Sequence, residues 1–127
     1  MTRFFWVCFA GAMGTGARYV VGLTARRSAI GASFPWATLA VNVVGCFLMS
    51  VVAYASAKRI ISADTRATLA TGFLGGLTTY SAFNWETLAF LRDSAWKIGL
   101  LNVGVTVIGC MAAGVLGLAF ARAVLGG

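Results

Sequence analysis

The sequence has no histidine, a single proline and only three acidic residues, Asp64, Glu86 and Asp93, in 127 positions. Histidines and paired carboxylates are the usual carriers of general acid–base catalysis. Neither is present, nor is a base beside a nucleophile, so the chain does not read as an enzyme. The three cysteines, Cys8, Cys46 and Cys110, make no C-x-x-C and have no histidine to complete a ligand set. That excludes a zinc motif or a dithiol redox motif and leaves them as small apolar residues inside helices. Charged residues are scarce at 10%, against 60% hydrophobic and a mean hydropathy of +0.89. A soluble domain of this size cannot hide so much apolar surface, so the chain reads as an integral membrane protein.

The length accommodates four spans of about 20 residues with short loops and leaves no room for a soluble domain. The apolar pattern predicts an all-α protein with spans at 4–23, 36–57, 67–91 and 98–121 as one transmembrane domain. Ala10-Gly11-Ala12 has the look of a signal cleavage site, but the apolar run continues through Val20 and Val21 and reads as a retained span. The net charge of +7 falls mostly between the apolar runs. It therefore suits anionic lipid headgroups, and no basic stripe with interleaved aromatics points to nucleic acid.

Span one carries Gly11 with Thr15 and Ala12 with Gly16, small-residue pairs that let another helix approach closely. Arg18 near its end reads by position as an interface anchor, or as a charge aimed at a vestibule. Pro35 and Trp36 suit the first turn and the interface of span two. Asn42 there is either helix glue or a ligand for something passing. Ser62 or Asp64 suits the cap of the next helix. Asn102, Thr106 and Cys110 make a polar stripe on span four, and Gly109, Ala113 and Gly117 make a stripe of small residues.

Span three holds the stretch the chain is organised around, Gly72-Phe73-Leu74-Gly75-Gly76-Leu77-Thr78-Thr79-Tyr80-Ser81-Ala82-Phe83-Asn84-Trp85-Glu86. Gly75-Gly76 weakens helix, and the residues after it bring polar groups to membrane depth, where unmet ones are costly. The spacing predicts a helix break at Gly75-Gly76. Tyr80 and Phe83 share one helix face. An ion or solute pathway and a Gly/Ser/Thr packing face both account for this stretch. Glu86 fits a pore mouth or an interface equally.

With four spans, Arg3, Lys58, Arg59, Arg66 and Arg122 lie on one side. Arg26, Arg27, Arg92 and Lys97 lie on the other, joined there by Arg18 if it counts. So even a balance gives little orientation preference under the positive-inside rule. Two copies inserted oppositely then pair about an axis in the membrane plane.

These residues resemble the Fluc/CrcB family of fluoride channels over nearly the whole chain. The resemblance rests on Gly14 to Tyr19, on Thr38-Leu39-x-Val41-Asn42-x-x-Gly45, and above all on Gly72-x-x-Gly75-Gly76-x-Thr78-Thr79-Tyr80-Ser81-x-Phe83 with Glu86. It implies an antiparallel dual-topology dimer with two fluoride pores in the cell membrane. The pores are lined by Asn42, Thr79, Tyr80, Ser81, Phe83, Thr106 and Cys110, with Arg18 and Glu86 at a vestibule. It further implies a structural sodium ion on the backbone carbonyls of Gly75 and Thr78. Tyr80 stands where the family usually has phenylalanine, and Cys110 where serine is frequent. The partner is then a second copy or a related subunit. A proton-coupled drug exporter of the small multidrug resistance type needs a mid-membrane carboxylate in span one, which this chain lacks. A non-transporting helper bundle is the other alternative.

Overall fold

A computed structural model describes residues 1–26 and 33–126. Arg27, counted above in the first loop, lies outside them. The chain is all-helical, in four runs without strands among the described residues. Helix α1 is Thr2–Arg26 and α2 is Trp36–Ala57. The third run comprises α3 (Ala63–Arg66), a π-helical stretch (Ala67–Leu74), α4 (Gly75–Leu77) and α5 (Tyr80–Arg92). The last helix, α6, is Trp96–Leu125. The unbroken helices α1, α2 and α6 are each long and apolar enough to cross a membrane, whereas the third run is divided into shorter pieces.

Local sequence sets the ends. Ser62 caps α3 by accepting from the Thr65 N–H at 3.0 Å, which leaves Asp64 in the first turn. Asp64 instead pairs with Arg3, tying the start of α1 to α3. Pro35 precedes α2, and its carbonyl accepts from the Leu39 N–H at 3.1 Å.

The helices pack in two pairs. α1 lies along Ala67–Leu74 and α4, while α2 lies along α6, and α5 reaches across to α6. The buried apolar cluster Val41, Leu74 and Leu77 lies next to the interruption in the third run. Most other large apolar side chains face outward, Phe4, Ile108 and Leu116 among them, as lipid contact requires. Of the two small-residue pairs expected on α1, Gly11 and Thr15 meet Gly76, whereas Gly16 has open space around it. Gly14, outside both pairs, has the tighter fit: a Cβ there would lie 2.0 Å from the Phe73 carbonyl oxygen. On α6 the stripe Gly109, Ala113, Gly117 faces α2, with Gly117 against the Phe47 carbonyl.

One expectation is corrected. The break does not fall at Gly75-Gly76, which stays helical, with Gly75 at φ −63° and ψ −36°. It falls at Thr78 (φ −81°, ψ 156°) and Thr79 (φ −153°, ψ 117°), both extended. The glycines serve close approach instead. A Cβ on Gly76 would lie 2.4 Å from the Gly11 carbonyl oxygen. Packing against α1 outweighs glycine's helix penalty of about 1 kcal/mol, and the chain opens where Asn42 offers a better partner than the helix does.

Candidate functional site

Asn42 on α2 reaches the break and satisfies Thr79 at both backbone polar atoms. Its Nδ2 donates to the Thr79 carbonyl at 3.0 Å, and its Oδ1 accepts from the Thr79 N–H at 2.8 Å. Both residues are buried. The Thr79 hydroxyl then caps α5 by accepting from the Ala82 N–H at 3.1 Å. Ser81 Oγ lies 3.2 Å from the same hydroxyl.

These bonds redirect two amides. In an unbroken helix the Thr79 N–H would donate to the Gly75 carbonyl, and the Ala82 N–H to the Thr78 carbonyl. Here the first donates to Asn42 and the second to the Thr79 side chain. The Gly75 and Thr78 carbonyls are thus released from those helical partners and carry the negative partial charge of a helix end. Oxygen donors of this kind suit a hard cation such as sodium, so the residues fit the ion the resemblance implies. Among the described residues no three His, Cys, Asp or Glu side chains are grouped to hold a metal ion.

Thr79 lines two cavities. The first, of about 490 Å³, is lined by Arg18, Thr38, Thr79 and Glu86 among others. It brings together both residues expected at a vestibule. Thr38 Oγ1 donates to Glu86 Oε1 at 2.7 Å, while Glu86 Oε2 and Arg18 Nε are buried without a hydrogen-bond partner. The second cavity, about 380 Å³, is an apolar groove between α2, α5 and α6. Asn42, Thr79, Tyr80, Phe83, Thr106 and Cys110 line it, six of the seven residues expected in a pore. Ser81 is not on its wall. The Tyr80 and Phe83 rings stand 5.5 Å apart at 57°, with Tyr80 exposed and Phe83 buried.

Asn102 belongs elsewhere. It is buried, its Nδ2 donates to Thr87 Oγ1 at 2.9 Å, and its Oδ1 accepts from Thr106 Oγ1 at 3.5 Å. It joins α5 to α6 and does not line the groove. Thr38 and Cys46 also stand in these walls, beyond the residues expected there, and the sequence carries a signal for them. Thr38, Asn42 and Cys46 recur every fourth residue, the same period as Asn102, Thr106 and Cys110.

The family model described as "CrcB-like protein, Camphor Resistance (CrcB)" matches residues 5–118. The chain belongs to the CrcB family. Curated relatives are named "Fluoride-specific ion channel FluC". The one from Sorangium cellulosum is 43% identical over 128 residues, covering 100% of both chains. That from Anaeromyxobacter dehalogenans is 44% identical over 114 residues, 89% of this chain and 90% of its own. That from Rhizobium etli is 44% identical over 124 residues, 97% and 98% respectively. These CrcB relatives are named as channels and not as enzymes. With its apolar helices, this CrcB chain is a multi-pass membrane protein.

Proposed function

We propose that this CrcB chain is a fluoride-selective channel that lets fluoride leave the cytoplasm passively. The observation that carries the reading is that Thr79 stands in the wall both of a cavity holding Arg18 and Glu86 and of a groove holding Tyr80 and Phe83. The names of the full-length relatives supply the ion.

Fluoride is small and strongly hydrated. A path for it replaces water with several weak donors and still lets the ion go. Arg18 raises the local anion concentration in the first cavity. The Thr79 hydroxyl, the Cys110 thiol and the second N–H of the Asn42 amide offer donors on the groove wall. The positive ring edges of Phe83 and Tyr80 attract an anion without a full countercharge. Hydrogen fluoride crosses bilayers neutral and ionises inside, so an anion leak driven by membrane potential lowers cytosolic fluoride.

The working unit in this reading is an antiparallel dual-topology homodimer in the cell membrane with two pores. The near-even charge balance of the loops and the many outward apolar side chains support it. The Gly75 and Thr78 carbonyls would hold a sodium ion that neutralises their partial charge where two subunits meet. Expression in cells stripped of their own fluoride export tests the function. Restored growth in fluoride, without altered chloride handling, is expected, and failure of a correctly inserted chain to rescue contradicts it.

A further inference from the structure

The groove wall carries four sulfur atoms, of which the proposed fluoride path uses only the Cys110 thiol. Cys46 and Met49 on α2 line the same cavity as Cys110 and Met111 on α6. Cys46 and Cys110 thus stand on two helices that pack along each other, and both border the one groove. Small residues set that spacing, since Gly109 lies against Val43 and Gly117 against the Phe47 carbonyl. All three cysteines are free thiols, and Cys8 is exposed on α1. Met49 and Met111, 37% and 68% exposed, border the same groove, and a methionine side chain is unbranched and flexible.

We infer that Cys46 and Cys110, with the thioethers of Met49 and Met111, form a binding site for a soft monovalent cation, silver(I) or copper(I), on the wall of the groove. Thiolate and thioether donors select soft ions. Zinc needs four firm ligands, and no third His, Cys, Asp or Glu joins the pair among the described residues. A soft monovalent ion is content with two sulfurs. On binding, one thiol releases its proton to the medium as its sulfur bonds the metal, and the second thiol donates a lone pair while keeping its proton. The site thus gains no net charge, as an apolar wall demands. The bound ion and the sulfurs drawn in around it narrow the groove at the level of Phe83 and Thr106. Only this last consequence rests on the groove being the anion path.

The test uses the full chain with Cys8→Ser, so that the paired thiols are the ones remaining, and silver nitrate in chloride-free medium. One silver ion per chain is expected after gel filtration. Cys46→Ser or Cys110→Ser in that background should weaken binding by more than the roughly 10–100-fold that loss of an outer-shell partner costs. Met111→Leu, which conserves volume, should weaken binding less, and it keeps the site testable if a serine variant misfolds. Two silver ions per chain, or undiminished affinity in both serine variants, overturns the site. In liposomes, silver should slow fluoride efflux by at least about tenfold, and Cys46→Ser should abolish that ratio. Stoichiometric binding with unchanged efflux leaves the site standing and overturns the groove as the anion path.

Discussion

Asn42 and Thr79 form a closed pair: one side-chain amide satisfies both the N–H and the C=O of a residue 37 positions away. The other buried asparagine among the described residues has different partners. Asn102 is committed to Thr87 and Thr106. The break therefore depends on Asn42. Asn42→Ala should leave two buried backbone groups unmet and lower stability by on the order of 2 kcal/mol or more. Thermal unfolding in detergent checks this. Asn42→Asp keeps the acceptor for the Thr79 N–H, but sets an oxygen against the Thr79 carbonyl and a negative charge beside the groove. Folded protein with strongly reduced fluoride flux is expected. Normal flux would mean that Asn42 is only a structural tie.

Phe83 is buried against the groove with its ring beside Tyr80. Phe83→Ile keeps an apolar side chain but removes the positive ring edge. If that edge supplies about 1 kcal/mol of anion attraction, efflux should fall roughly fivefold with the oligomeric state unchanged. Undiminished efflux would count against the aromatic step.

Much of this arrangement is legible in the sequence, for physical reasons that differ from place to place. Hydropathy locates the helices because lipid leaves few alternatives to a helix. The polar and small-residue stripes of α6 follow from a fixed period, and Gly117 and Thr106 sit where that period puts them. The break is displaced from Gly75-Gly76 because a glycine pair reads alike as a weak helix and as a close contact. Only the neighbour, here Gly11 on α1, distinguishes the two. Asn102 and Asn42 likewise look the same in sequence. Their roles separate once Thr87 is found beside one and the backbone of Thr79 beside the other.

The contrast between Gly14 and Gly16 gives a paired prediction on α1. A Cβ at Gly14 meets the Phe73 carbonyl at 2.0 Å, whereas at Gly16 it meets nothing within 4 Å. Gly14→Ala should destabilise by about 1–3 kcal/mol through overpacking. Gly16→Ala should be neutral or stabilising by up to about 1 kcal/mol, since alanine favours helix. Unfolding midpoints of the two variants, measured side by side, decide it. Equal effects would mean that α1 does not pack on Ala67–Leu74 as described.

Arg18 lines the first cavity with its Nε buried and without a hydrogen-bond partner. If it concentrates anions there, Arg18→Gln should lower fluoride flux roughly tenfold at low ionic strength. The deficit should shrink above about 0.15 M salt, where the screening length falls to about 8 Å. A deficit independent of salt would assign Arg18 to packing.

The central claim is that this chain by itself conducts fluoride. The direct measurement is anion efflux from liposomes holding only the purified chain, read with a fluoride electrode and repeated with chloride. Rapid fluoride efflux with chloride retained is the predicted result, Tyr80 and Cys110 notwithstanding. No fluoride efflux from folded, inserted protein, or equal release of both anions, would contradict the account.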